Sequence, residues 1–287
     1  METVSGETRV EWSQTVERAE RTSALLTWWV NHPREVAWRT ASNPWIVLVA
    51  EVMSQQTQLD RVNQRLPLFI SQFPTPAALA AAGRADVLAA WSGLGYNNRA
   101  LRLQDAARHL NAHGWPGDSV GLRALPGVGP YTAAAVASLV WGEAVPAIDT
   151  NHRRVLSRWV GRPLAGTELD AVAWSLIHRD SPADWNQAVM DLAQAICRPV
   201  PNCEECPVVG WCADPSIYVA PVAQPAFQGS LRQARGAILR SLVDSPHSFD
   251  ALLEKTSLPV DRLRSGLASL VDEDVVAQDG DRWQIVD

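Results

Sequence analysis

Lysine is almost missing from this chain: 287 residues contain one, Lys255, and the rest of the 25 Lys and Arg positions are arginine. A side-chain amine nucleophile is therefore absent N-terminal to that position. Long apolar runs are missing too. No stretch of eighteen apolar residues occurs, so no membrane-spanning helix is expected. The opening METVSGETRVEWSQ has no basic segment feeding an apolar one, so a secretory signal is excluded and the cytoplasm is the expected location. Net positive charge is lacking as well: the formal value is −6, the usual objection to a nucleic-acid partner. Its distribution weakens the objection. Residues 21–213 carry 16 Arg against 15 Asp or Glu, so the deficit sits at the two ends. Cysteine is scarce, and all four lie in CRPVPNCEECPVVGWC, residues 197–212. A disulfide framework would rarely be confined to so short a stretch, which leaves metal or cluster ligation.

The length permits one large domain or two to three modest ones with a well-buried core. Up to the cysteines the apolar spacing is helical. It predicts helices over 10–31, 59–72, 76–82, 84–92, 97–112, 119–124, 130–141, 149–160, 168–178 and 184–197. Asn43 is placed to cap a further helix whose first turn holds Pro44. A linker rich in Pro, Ala and Gln follows at 214–229. Beyond it, ARGAILRSLVD, SFDALLEKT and VDRLRSGLASLVDE read as three short helices, and VVAQDGDRWQIV as two strands around Asp-Gly. That order suggests a winged helix; a small packing or dimerising module is an equally good reading. Residues 228–287 hold 7 basic and 10 acidic side chains, a poor balance for gripping phosphates.

Three places carry chemistry. The turn Gly127-Val128-Gly129 before Pro130 offers backbone N–H groups and a helix N-terminus to an anion, and glycine lets the anion approach closely. Glu51 sits in WIVLVAEVM among Val47, Leu48, Val49, Val52 and Met53, so it is either at a solvent edge or buried. Burial would disfavour its charged form and keep a proton available near neutral pH. Gln55, Gln56 and Thr57 extend a polar patch from the same helix. Asp149 is either a helix N-cap or an acid set beside Arg153, Arg154 and Arg158. The cysteine spacing C-x5-C-x2-C-x5-C puts one close pair between two outlying thiols. This suits wrapping a cubane cluster better than a zinc cage, with zinc left open.

Six motifs stand in order: AWR at 37–39, EVMSQQTQ at 51–58, WSGLGY at 91–96, LPGVGPYTAAAV at 125–136, IDTNHRRVLSR at 148–158, and the four cysteines. Together they resemble the endonuclease-III-like, helix-hairpin-helix DNA glycosylases, and among them the adenine DNA glycosylases of MutY type. The resemblance covers about residues 20–213. It implies a mostly α, two-lobed glycosylase domain over 21–213 with a cluster loop at 197–212. Around it stand an N-terminal segment (1–20), the linker (214–229) and a winged-helix-like α+β unit (230–287).

The implied activity is monofunctional excision, in base excision repair, of adenine mispaired with 8-oxoguanine or guanine, after the base is flipped out. Glu51 would protonate adenine N7 and Asp149 would stabilise the oxocarbenium-like sugar. Tyr131 and Asn151 would position these acids and the water. Tyr131 stands where bifunctional relatives carry a lysine, so amine-dependent strand cleavage is not expected. Trp38 and Arg39 would line the adenine pocket, with Gln55 in the DNA-binding patch. Gln56, Thr57, Leu94 and Tyr96 would enter the stack or meet the orphaned base. Gly127, Val128 and Gly129 would hold a phosphate. Cys197, Cys203, Cys206 and Cys212 would bind a 4Fe–4S cluster whose loop presents Arg198. The partner is double-stranded DNA with a mismatch or oxidised guanine, met by a monomer associated with the nucleoid.

Three features depart from the family. Asn97 replaces the second tyrosine of the usual Gly-Leu-Gly-Tyr-Tyr run. The first cysteine gap is shorter by one residue. The family's C-terminal reader of 8-oxoguanine, similar to nucleotide pyrophosphohydrolases, is missing. Two other readings are a thymine or uracil mismatch glycosylase of the same superfamily and a non-enzymatic iron–sulfur DNA-binding regulator. The first is disfavoured by Glu51 followed by Gln55-Gln56, the second by the presence of both Glu51 and Asp149.

Overall fold

In the computed structural model, residues 6–32, 34, 36–218 and 226–286 are described. The first five residues of the N-terminal segment and residues 219–225 of the expected linker lie outside them. In chain order the helices are α1 (Gly6–Asn31), α2 (Pro44–Ser54), α3 (Leu59–Gln72), α4 (Pro76–Ala80), α5 (Arg84–Ala90), α6 (Asn98–His113) and α7 (Ser119–Leu122). They continue with α8 (Pro130–Trp141), α9 (Thr150–Val160), α10 (Gly166–Leu176), α11 (Pro182–Ala195), α12 (Leu231–Leu242), α13 (Phe249–Thr256) and α14 (Val260–Val271). Three short strands complete the set: β1 (His247–Ser248), β2 (Val276–Asp279) and β3 (Arg282–Ile285). The chain falls into two compact units.

Unit 1 comprises Met1–Ser42, Gly117–Arg123 and Val128–Val222. Its core is built from the apolar faces of α1, α9, α10 and α11, with Leu25, Val155, Leu156, Ala173, Trp185, Val189 and Leu192 all buried. Each such aliphatic side chain contributes roughly 1.5–3 kcal/mol by leaving water. Helices α7 and α8 pack together as the two arms of the hairpin that the glycine turn joins. Pro130 starts α8, where its missing N–H costs nothing, and Gly142 in the left-handed conformation ends it.

Unit 2 comprises Asn43–Pro116, Ala124–Gly127 and Ala223–Asp287. The Asn43 side chain accepts from the Trp45 N–H at 2.9 Å, so α2 begins where the Asn-Pro pair predicts. Helix α2 is apolar nearly all round and sits against α3 and α6. Fully buried Gln104 on α6 donates to the carbonyls of Leu79 and Ala82, tying down the end of α4.

The C-terminal elements run α12, β1, α13, α14, β2, β3, with an antiparallel sheet in the order β1-β3-β2. That is the order of a winged helix. Strand β1, with His247 opposite Trp283, is only two residues long and leaves no alternating pattern to read. The apolar cluster of this part contains Ile238, Leu239, Leu252, Leu263, Leu267 and Leu270, together with Leu88 of α5 and Leu101 of α6. The C-terminal elements therefore share a core with the helical part of unit 2. Among the described residues no helix is long and apolar enough to cross a membrane.

Candidate functional site

The candidate residues divide between the two units. In unit 1, Asp149 is indeed the N-cap of α9: one carboxylate oxygen accepts from the Asn151 N–H at 2.9 Å and the His152 N–H at 2.8 Å. It does more than cap. The same oxygen meets His152 Nδ1 at 2.9 Å, and the other oxygen accepts from Asn151 Nδ2 at 2.8 Å. Burial pushes this carboxyl up. The hydrogen bonds from His152 and Asn151, with the His152 charge interaction, outweigh burial and hold it below the usual carboxylate range. His152 is fully buried, packs against the Trp185 ring, and its Nε2 has no hydrogen-bond partner.

Asn151 is itself held. Its Oδ1 accepts from Arg154 at 3.1 Å, and Arg154 donates onward to the carbonyls of Cys197 and Ala193. Arg158, also buried, donates to Cys197 Sγ at 3.2 Å and to the carbonyls of Arg198, Pro199 and Ile217. The two arginines thus fasten the start of the cysteine loop to the helix that Asp149 caps. Arg198 lies exposed, its Nε bonded to the carbonyls of Gln194 and Ala195.

All four cysteines are free thiols. Burial, followed by the charges of Cys197, Cys206 and Cys203, pushes Cys212 up to about 11, and Cys206 is raised by burial and by Cys197 and Cys203 against a backbone hydrogen bond from Val208. Four free thiols in one sixteen-residue loop are a donor set suited to a group able to take all four as thiolates. Among the described residues, no three Cys, His, Asp or Glu side chains are already grouped as a metal ion would hold them.

Arg39, expected in a base pocket, makes a two-pronged pair with Asp191 at 2.6 and 2.7 Å. Asp191 is 1 % exposed and also accepts from Trp29 Nε1 and Arg34. The guanidinium is thus taken up by a buried ion pair, and the neighbouring Trp38 is buried too. Tyr131, one residue into α8, is half-buried. No side chain caps α8, and Gly129 and Pro130 at its start are exposed. A cleft of about 430 Å³ lined by Arg18, Thr22, Ser175, His178 and Arg179 contains none of the candidate residues.

In unit 2, Glu51 is 4 % exposed, which decides between the solvent edge and the interior. Just beyond it α2 ends, and Gln56 turns the chain with φ of 55°. Tyr96 also has positive φ, 48°, and these are two of only four such non-glycine residues among those described. Backbone strain of this kind persists where surrounding structure over-determines it. Here the determinant is Arg99, which no sequence motif singled out. Its Nη1 donates to the carbonyls of Val52, Met53 and Gln55 at 2.9, 2.9 and 2.6 Å. Its Nη2 donates to Thr57 Oγ1, Leu94 O and Gly95 O at 3.1, 3.1 and 3.0 Å. Burial lowers Arg99 to about 10.

One guanidinium therefore locks the Gln-Gln-Thr turn to the Gly-Leu-Gly-Tyr loop. Gln56 and Tyr96 present themselves to solvent. Leu94, expected to meet the orphaned base, has a side chain 3 % exposed, and its carbonyl is what Arg99 and Thr57 engage. Gly127 has φ of 76°, and a Cβ there would lie 2.8 Å from Arg102 Cβ, so the turn has room only for glycine.

The pattern of the HhH-GPD superfamily base excision DNA repair proteins matches residues 49–168. The adenine DNA glycosylase of Mycobacterium tuberculosis H37Rv is 37% identical over 265 residues, covering 86% of this chain and 83% of that protein. That of Mycolicibacterium smegmatis is 38% identical over 234 residues, covering 77% and 80%. The human adenine DNA glycosylase is 36% identical over 209 residues, covering 66% of this chain and 38% of its own length. Among solved structures, a thermostable thymine-DNA glycosylase aligns with a TM-score of 0.67 and 26% identity over 70% of this chain and 97% of its own. A trapped endonuclease III–DNA covalent intermediate aligns with a TM-score of 0.55 and 26% identity over 60% and 84%.

Proposed function

Because this chain belongs to the helix-hairpin-helix adenine DNA glycosylases, we propose that it excises adenine paired with 8-oxoguanine or guanine and leaves the DNA strand intact. The observation that carries the mechanism is the hydrogen-bond set of Asp149. A carboxylate held ionised inside the protein is what a developing positive charge on a sugar requires. Asp149 faces that charge, and Asn151 and His152 fix its two oxygens. Glu51, buried on α2, is the acid that passes a proton to adenine N7, so the base leaves neutral. Two acids in different surroundings divide the work, as in sugar hydrolysis. Tyr131 orders the water that completes the reaction. No lysine lies in this part of the chain, and a phenol at residue 131 forms no Schiff base.

The uncapped start of α8 after Gly129 supports phosphate binding by the hairpin. Gln56 and Tyr96, exposed on strained turns, are suited to meet the base left behind. The four free thiols of Cys197, Cys203, Cys206 and Cys212 in one short loop support a 4Fe–4S cluster held by all four thiolates. When bound, the cluster would supply iron–thiolate bonds that brace the loop, while Arg154 and Arg158 tie that loop to α9. The enzyme would work as a monomer on duplex DNA, in the cytoplasm at the nucleoid.

The likeness to a thymine-DNA glycosylase structure favours one second reading, removal of thymine or uracil opposite guanine. Single-turnover excision from duplexes pairing adenine with 8-oxoguanine, guanine and thymine, and thymine or uracil with guanine, separates the two. Adenine release in the first two duplexes is expected. Release confined to the pyrimidine duplexes would overturn the assignment.

A further inference from the structure

The C-terminal winged-helix elements seize the loop that contains Tyr96. Arg232 on α12 donates to the Tyr96 hydroxyl, and its guanidinium lies 5.1 Å from the centre of the Tyr96 ring. Phe227 supports the same guanidinium at 5.9 Å, while Arg99 lies 5.6 Å from the Tyr96 ring. One turn along α12, Arg235 donates to Asn98 Oδ1 at 2.7 Å and forks onto Glu273 at 2.5 and 2.6 Å. Asn98 closes the triangle by donating to Glu273, and Arg235 also reaches Ser269 Oγ at 2.6 Å. At the far end, Arg84 of α5 donates to the carbonyl of Asp274 at 2.6 Å.

These polar contacts flank the apolar seam in which Leu88 and Leu101 join the C-terminal core. The loop is thus gripped on the helices before and after it and at its exposed aromatic residue. A charge-assisted bond to a phenol together with a cation over its ring fixes orientation more tightly than either alone. Meanwhile the C-terminal residues are net acidic, which suits them poorly to holding phosphates themselves.

We propose that the winged-helix unit is a positioning device for lesion discrimination: Arg232 and Arg235 preset Tyr96 and Asn98 so that the loop meets the base opposite adenine in one geometry. The unit improves selectivity through the protein rather than by touching the lesion. This rests on the reading of the Tyr96 loop given above, so the test must separate the two.

The experiment uses full-length protein with Arg232→Met, Arg235→Met and Tyr96→Ala. Single-turnover excision of adenine opposite 8-oxoguanine and opposite guanine gives a preference ratio for each. The chain has three tyrosines, Tyr96, Tyr131 and Tyr218, so 3-fluorotyrosine labelling gives three ¹⁹F signals, with Tyr96 assigned through Tyr96→Phe. Arg232→Met is expected to move or broaden the Tyr96 signal alone and to lower the ratio about tenfold, the scale of one lost charge-assisted contact. Arg235→Met should act in the same direction.

A ratio within about twofold of wild type for both arginine variants, while Tyr96→Ala lowers it, would overturn the positioning role and spare the loop's role. If Tyr96→Ala also left the ratio unchanged, the loop reading would fail and the proposal with it. A rise in the ratio for Arg232→Met would overturn it too, because the arginine would then be withholding Tyr96.

Discussion

Replacing Arg99 by alanine tests whether one guanidinium holds two turns together. The change strips five backbone carbonyls and one hydroxyl of a donor, those of Val52, Met53, Gln55, Leu94, Gly95 and Thr57. Water entering the vacated space will satisfy some of them. At about 1 kcal/mol for each bond that is lost or poorly replaced, the gross cost is roughly 5 kcal/mol. Release of strain at Gln56 and Tyr96 returns ~1–2 kcal/mol, from the low end of what a non-glycine left-handed residue stores. The net expectation is a loss of about 3–4 kcal/mol, in the upper tail for single substitutions. Urea unfolding followed by tryptophan fluorescence measures it. Arg99→Lys should recover little, because an ammonium lacks the fork that spans both turns. A cost under about 1 kcal/mol for Arg99→Ala, the size of a single ordinary hydrogen bond, would deny that one guanidinium holds both turns.

Three further outcomes follow from the site. Glu51→Gln should leave duplex binding near wild type and slow excision by ~10²–10⁴-fold, the usual worth of a general acid; near-normal single-turnover release would remove Glu51 from that role. His152→Val should raise the Asp149 pKa, since burial remains while the side-chain hydrogen bond and charge of His152 are lost and only the backbone and Asn151 bonds stay. In the wild type the folded pKa lies below the unfolded one, so the stabilisation is complete above the ordinary carboxylate range and is lost as pH falls through the depressed value. The acid limb of excision and of stability should therefore shift to higher pH in the variant, and an unmoved limb would deny His152 its part. Iron analysis of anaerobically purified protein should find about four irons per chain with a brown visible band, and stoichiometric zinc without iron would decide for the alternative.

Much of the helical framework was legible because its signals are local. Asn43-Pro44 marks the start of α2, Gly142 stands at the end of α8, and the apolar period places the other helix ends within a few residues. Asp149 was readable as a cap or as an acid, and it satisfies both descriptions because one carboxylate has two oxygens to share. What escaped notice shares a different property. Arg99 bonds to carbonyls more than forty residues upstream, which have no side-chain identity to form a motif. His152 looked like one more helical residue inside a basic run, and only its burial beside Asp149 reveals it.

Sequence motifs also do not report that Arg39 pairs with Asp191 or that the Leu94 side chain is buried. Periodicity also reports that a face of α12 is covered without saying by what. The seam with Leu88 and Leu101 was therefore invisible, although a packing module was one of the two readings of these elements.

The most direct test of the whole account is a competition on one duplex carrying both an adenine opposite 8-oxoguanine and a thymine opposite guanine. Wild-type enzyme is added under single-turnover conditions and the released base is identified by mass; a parallel reaction contains borohydride to trap any amine adduct, and strand integrity is read in the reaction without it. The account predicts free adenine, no adduct, and a strand that breaks at the abasic site only after alkali. Free thymine, or an adduct with strand scission before alkali, would contradict it.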